Sequence, residues 1–306
     1  PVGEGFHAVA GGPHAEVEAL RMAGAAARGG TAYVTLEPCN HTGRTGPCAD
    51  ALIEAGIARV VYAVPDPNRT AAGGAEKLAS KNIEIVQGVL RSEAEAVNHV
   101  WLHSVRAGRP FVTWKFATTL DGRSAAADGT SRWVSGPAAR LDTHRLRALC
   151  DVMLVGSHTV AVDDPRLTVR DEHDQPLPHQ PLRVVMGERD LDPGRQIFDG
   201  EAESLHLRTR DPHAALKELF ARDRQHVFLE GGPTLAAAFL RAGLVDEVVT
   251  YVAPMLLGAG RNAVGDLGIT TISDALHLRV EDVTVLDDNV RLRMRPLPPS
   301  EAEGKD

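Results

Sequence analysis

The order of short apolar runs between Thr31 and Leu90 restricts this chain more than any other feature. "TAYVTLEP" (Thr31 to Pro38) has the composition and length of a strand, "CADALIEAGIA" (Cys48 to Ala58) has helical spacing, and "RVVYAV" (Arg59 to Val64) predicts a second strand. "GGAEKLASKN" then predicts a helix and "IEIVQGVL" a third strand. A β-α-β-α-β succession builds a parallel-type sheet with helices packed on its faces, so the first third is α/β. Ahead of it, "GGPHAEVEAL" leads from Gly-Gly-Pro into an Ala/Leu-rich helix. "PVGEGFH" reads as the second half of a strand hairpin whose first half is absent, and with no initiating methionine the chain reads as a fragment.

Arg91 to Gly108 predicts one helix ending in Gly-Arg-Pro, a stop signal and a domain boundary. After Pro110 the pattern restarts. It runs strand "FVTWKFATTL", turn "DGRSAAADGTSRW", helix "GPAARLDTHRLRALC", strand "DVMLVGSHTV", loop Arg170 to Pro181 and strand "LRVVMG". "HVFLEGGPTLAAAFLRAGLVDEVVTYVAPML" adds strand, turn, helix and strand. A length of 306 residues fits two domains that each bury a core, expected at 1–108 and 109–297, with a disordered tail over 298–306. Thirty-three basic residues against 41 acidic ones leave a charge of −8, with no broad basic field for nucleic acid or an anionic membrane. The expected partner is therefore a small molecule. No apolar run reaches the roughly 18–20 residues that span a bilayer, and no segment reads as a secretion signal, which predicts a soluble cytoplasmic protein.

Three cysteines cannot make a disulfide framework, and in a reducing compartment a close pair points to metal or redox chemistry. Cys39 follows the end of a predicted strand and Cys48 opens a predicted helix, each directly after a proline. With His14 they offer the donors of a catalytic zinc, which leaves a fourth tetrahedral position for water. Glu16, two residues past the histidine, is placed as general base and acid, taking a proton from water and passing it to a leaving amine. An H-x-E followed by P-C and a second cysteine is the arrangement of zinc nucleobase deaminases. Read singly, the cysteines are also packing residues and His14 a solvated turn residue.

Eight residues between the cysteines depart from the usual two. The long form "PCNHTGRTGPC", with "GEGFHAVAGGPHAEVEAL" before it, resembles the deaminase half of the bifunctional deaminase-reductases of riboflavin biosynthesis, the RibD type. "VTWKFATTLDGRSAAADGTSRWVSG", "LRALCDVMLVGSHTVAVDDPRLTVR" and "VFLEGGPTLAAAFL" resemble the reductase half, so the likeness covers nearly all of residues 1 to 296. It implies a cytidine-deaminase-like α/β/α domain followed by a dihydrofolate-reductase-like α/β domain. It also implies Zn2+ and NADPH as cofactors, a phosphorylated pyrimidine as substrate, and a homo-oligomer, dimer or tetramer. The family's first helix and first strand, with an N-P-x-V-G motif, have no counterpart in the chain. In the deaminase half the resemblance assigns substrate contacts to His7, His41, Arg44 and Asp66; Arg44 also reads as a solvated loop charge. In the reductase half it assigns Lys115, Ser131, Arg147, Leu167, Arg170 and Glu230 to the substrate. Ala117, Trp133, Thr159, Asp163, Gly232, Pro233 and Thr234 go to NADPH, although Trp133 also reads as core packing. Arg147 and Arg170 suit a ribose 5-phosphate, because a guanidinium fork matches phosphate oxygens. "EGGPTL" follows a strand and opens a helix, a turn whose free N–H groups can meet a phosphate. It lacks the GxGxxG fingerprint of a Rossmann domain. Cys150 reads as a buried apolar filler. A deaminase of another base or nucleoside, and a lone reductase with a zinc-stabilised structural module, are the alternatives.

Overall fold

The computed structural model describes residues 1–9, 11–43 and 45–298. The chain divides into two compact units, Pro1–Ala107 and a second from Gly108 on. In the first unit the order is α1 (Ala15–Ala23), β1 (Thr31–Leu36), α2 (Cys48–Glu54), β2 (Arg59–Val64), α3 (Gly74–Ala79), β3 (Glu84–Gln87), α4 (Arg91–Val97) and α5 (His99–Ala107). The strands form the parallel sheet β1-β2-β3, with Thr31 opposite Arg59 and Arg59 opposite Glu84. β2 is central, and every residue after Arg59 in it is buried, as a parallel strand covered on both faces requires. Ala49, Leu52 and Leu78 from the helices close on Val60, and burial of a side chain such as Leu52 contributes about 1.5–3 kcal/mol. Ala94 and Leu102 close a second cluster on Ala63 and Val64. This packing fixes the end of β1 against the start of α2, where Cys39 and Cys48 lie.

The second unit runs β4 (Phe111–Thr119), β5 (Arg123–Ala125), α6 (Pro137–Arg147), β6 (Val152–Gly156), α7 (Ser157–Asp163), β7 (Leu182–Met186), β8 (Ser204–Leu207), α8 (Pro212–Ala221), β9 (His226–Leu229) and α9 (Pro233–Arg241). It ends with β10 (Glu247–Ala253), β11 (Arg261–Asn262), β12 (Leu278–Leu286) and β13 (Asn289–Pro296). Eight strands make one sheet in the order β12-β13-β10-β4-β9-β6-β7-β8. From β10 to β8 neighbours run parallel, and the β12-β13 hairpin closes one edge antiparallel. Val112, Leu154, Val184, Leu229 and Phe239 are among the residues that form the main core, fully buried between strands and helices. In an open α/β sheet ligands meet the carboxyl ends of the strands. Here those ends carry Gly156, Gly187 and Glu230.

Several sequence expectations are corrected. Residues 1–8 form no strand. They lie along α1, so close that a Cβ at Gly3 or Gly5 would collide with the carbonyl oxygens of Ala19 and Ala15. The helix expected over 91–108 is two, because Asn98 turns its side chain back on the Ala94 carbonyl and competes with the helical ladder. The strand expected over 151–160 stops at Gly156, and the next seven residues form α7 with Val160 packed inward. β3 stops at Gln87 because Gly88 takes φ +87°. The expected turn after β4 contains β5, which pairs with β11. All but Pro298 of the expected tail lies outside the described residues. Among the described residues no helix is long and apolar enough to cross a membrane.

Candidate active sites

In the first unit, His14 caps the start of α1, Cys39 lies in the loop after β1 and Cys48 is the first residue of α2. Their donor atoms all lie within 4.8 Å of one another. His14 Nδ1 is 3.1 Å from Cys48 Sγ and 3.5 Å from Cys39 Sγ, and the Cys48 backbone N–H donates to Cys39 Sγ at 3.4 Å. Both thiols are buried. The hydrogen bond from the Cys48 thiol holds Cys39 down at about 5, and the same bond pushes Cys48 up. One thiolate is thus favoured even before a cation arrives. Two sulfurs and an imidazole within the span of one ion fit zinc, which takes such borderline and soft donors. Burial raises the Glu16 carboxyl above its ordinary value, while the neighbouring Cys48 thiol works the other way.

The other residues assigned to this site are spread around it. His7 is exposed, its Nδ1 2.9 Å from the Pro13 carbonyl and its ring edge-on to His14 at 5.1 Å. His41 lines a cavity of about 190 Å³ with Gly11, His14, Gly43 and Thr45, and its buried Nδ1 has no hydrogen-bond partner among the described residues. Asp66 follows β2, with Oδ1 accepting the Asn68 N–H at 2.8 Å; burial raises its carboxyl. Arg44 lies outside the described residues. Sequence reasoning passed over Glu37, a buried carboxylate that accepts N–H bonds from Asp66, Gly73 and Ala75 at 3.1–3.2 Å. Those bonds tie the turn after β2 and the start of α3 to the loop that carries Cys39. Its signal was an acid set between an apolar strand and Pro-Cys.

In the second unit, every residue assigned to the reductase site lines one cavity of about 1650 Å³ over the carboxyl ends of the strands. Arg147 donates to Glu230 through Nε at 2.6 Å and Nη2 at 2.8 Å, and through Nη1 to the Thr168 carbonyl at 3.2 Å. Burial pushes the Glu230 carboxyl up, but the Arg147 and Lys115 charges and the Arg147 hydrogen bonds outweigh it and hold Glu230 at about 2. Lys115, on β4, sits 5.5 Å over the Tyr251 ring, and burial lowers its ammonium. Arg170 donates to Thr168 Oγ1, the Asp174 carbonyl and Glu201. Leu167 takes φ +56°, a conformation uncommon for a branched residue and often found at functional sites.

Among the residues assigned to NADPH, Thr159 Oγ1 stands beside Gly232, the residue that caps α9, and Pro233 is the first residue of that helix. The positive end of α9 therefore opens on the cavity. Asp163 accepts from Arg132 through its carbonyl at 2.8 Å, and Ser131 is exposed at the rim. Trp133 is 65% exposed beneath Arg140, whose Cζ is 4.5 Å from the ring, so the core-packing alternative for Trp133 fails. Cys150 is buried with its thiol donating to the Leu146 carbonyl at 3.2 Å.

The RibD C-terminal domain matches residues 110–292, and the cytidine and deoxycytidylate deaminase zinc-binding region matches residues 2–64. RibD of Mycobacterium tuberculosis (strain H37Rv) is 50% identical over 96% of this chain and 86% of its own length. RibD of Escherichia coli K12 is 41% identical over 96% and 89%. This chain belongs to the RibD family of riboflavin biosynthesis proteins. Among solved structures, RibD of Acinetobacter baumannii superposes with a TM-score of 0.89 at 39% identity, covering 97% of this chain and 89% of that one. A Thermotoga maritima protein titled diaminohydroxyphosphoribosylaminopyrimidine deaminase/5-amino-6-(5-phosphoribosylamino)uracil reductase gives 0.87 at 32%, over 97% and 88%. The cytidine-deaminase-like and dihydrofolate-reductase-like units, read from the sequence by resemblance, are those of this RibD family member, with zinc and NADPH its cofactors.

Proposed function

We propose that the first unit of this RibD family member hydrolyses an amine from a phosphoribosylated diaminopyrimidinone, and that the second reduces the ribosyl chain of the product to ribityl. One observation carries the reading: the donor atoms of His14, Cys39 and Cys48 converge within 4.8 Å, with Glu16 two residues past His14 in the sequence. When bound, zinc supplies the Lewis acidity that makes water a nucleophile near neutral pH. Glu16 accepts a proton from water and returns it to the leaving nitrogen, so water and amine become carbonyl and ammonia. His7, His41 and Asp66 contact the pyrimidine or its ribose phosphate in this reading, and the resemblance adds Arg44.

In the second unit NADPH, when bound, supplies the hydride. Ala117, Trp133, Thr159, Asp163 and the Gly232–Thr234 turn hold the cofactor. Ser131 and Leu167 shape the substrate pocket. Lys115, whose ammonium burial lowers, lies on the substrate side of this pocket, near the reacting sugar or ring carbonyl. A guanidinium carries five N–H groups; Arg147 uses three on Glu230 and Thr168 and keeps two for a phosphate oxygen. Arg170 supplies a second fork, because its partners Asp174 and Glu201 are exposed enough to exchange for a phosphate. A cytoplasmic location and homo-oligomeric assembly belong to the same reading.

The test is ammonia release and NADPH oxidation by the purified chain with this substrate. Ammonia release that needs zinc separates a working deaminase from a structural zinc module. Protein prepared under reducing conditions is expected to carry one zinc per chain by elemental analysis, and Cys39→Ser to retain much less after desalting. Zinc-free wild-type protein that still releases ammonia would overturn the metal assignment. NADPH is expected to support faster reduction than NADH at matched concentrations, and equal rates would remove the cofactor preference.

A further inference from the structure

His144 lies on α6 one turn before Arg147 and lines the same cavity. Its Nδ1 accepts the backbone N–H of Arg170 at 3.1 Å. An N–H on Nδ1 would face that backbone N–H head on, so Nδ1 holds its lone pair and a neutral ring must carry its proton on Nε2. The ring is faced by Arg147, Glu230, Asp174 and Arg170. Burial, with Arg147 next, holds it neutral down to about 4. No other hydrogen bond of the His144 ring is found among the described residues. Its remaining polar atom is therefore an N–H donor of fixed tautomer in a cavity that Arg147 and Arg170 also line. Such a donor binds an oxygen without adding a further positive charge beside Arg147 and Arg170.

We propose that His144 is a substrate-binding residue, its Nε2–H donating to an oxygen of the substrate's sugar phosphate while Nδ1 braces Arg170. The assignment rests on reading the second unit as a reductase of a phosphoribosylated pyrimidine. It makes the two ring nitrogens separable, because an Asn amide reaches the position of Nδ1 and a Gln amide that of Nε2.

His144→Asn is expected to raise the KM for the deaminated substrate by about 10- to 100-fold, the scale of a hydrogen bond to a charged group. NADPH affinity, melting temperature and kcat should change little. His144→Gln should recover substrate affinity to within a few-fold. The reverse pattern, with Asn harmless and Gln damaging, means that His144 only braces Arg170 and overturns the proposal. Wild-type affinity in both variants does the same. Should the variants fold poorly, nitrogen-detected NMR of the wild-type ring decides. Nε2 should carry the proton and its resonance should move when ribose 5-phosphate is added, but not with NADPH alone. A proton on Nδ1, or an Nε2 unmoved at saturating ribose 5-phosphate, sinks it. If the wild type does not reduce the pyrimidine, the functional reading fails, and the NMR measurement still judges His144.

Discussion

Glu16→Gln is expected to keep zinc and fold while lowering ammonia release by about 10²- to 10⁴-fold, the usual contribution of a positioned acid-base group. The amide occupies the same volume and keeps a hydrogen-bonding oxygen, so the packing of α1 is preserved. It has no site to accept a proton from water and none to hand one to the leaving nitrogen. Zinc content should stay at one per chain, because Glu16 is not among the three converging donors. Reduction of already deaminated substrate should run at the parent rate. The measurement is ammonia release against NADPH oxidation on the two substrates, with elemental analysis of the same samples. Parent-rate ammonia release by the variant would remove Glu16 as the proton carrier. Loss of zinc together with activity would make it a metal ligand.

The zinc trio was legible in the sequence because its evidence is residue type at element junctions. A strand end, a helix start and a helix cap each carry one donor, and periodicity locates such junctions well. The β1-α2-β2 crossover was legible for the same reason, since apolar runs of strand length alternated with helical spacing. Elements that depend on distant packing were less visible. α7 is two turns long with one buried valine, too short for a helical period to stand out from the strand before it. Residues 1–8 looked like a strand because nothing local reveals that their glycines press on α1. Glu37 and His144 were passed over for a related reason. Each acts through bonds to backbone groups far along the chain, from Glu37 to Ala75 and from His144 to Arg170. The Arg147 reading was incomplete in the same way. Its fork was expected to be open to phosphate, and nothing near it in sequence announced that Glu230 would take two of its N–H groups.

That pair sets the largest expected effect on stability. Arg147 and Glu230 are 15% and 12% exposed, so removing one partner leaves the other charge in a poorly solvated site. Arg147→Met is expected to destabilise the second unit by about 3–5 kcal/mol, the cost of stranding a buried charge. At about 2–4 °C per kcal/mol for a unit of this size, melting falls on the order of 10 °C. Adding Glu230→Leu should recover most of the loss, since an apolar pair of similar volume is often neutral in place of a buried ion pair. Reduction should stay abolished in the double variant. The pH dependence follows from the depressed Glu230 carboxyl, held at about 2 against an ordinary 4.5. Its contribution is fully present above 4.5 and is lost as pH falls toward 2, because the unfolded chain binds the proton first. The gap in stability between the parent and Arg147→Met should therefore narrow on acidification, first as the stranded Glu230 of the variant takes up a proton and then as the parent loses its own contribution below about pH 4.5. Denaturant titrations of the second unit's transition at several pH values measure it, and a gap that widens on acidification would mean that Arg147 stabilises the fold through some partner other than Glu230.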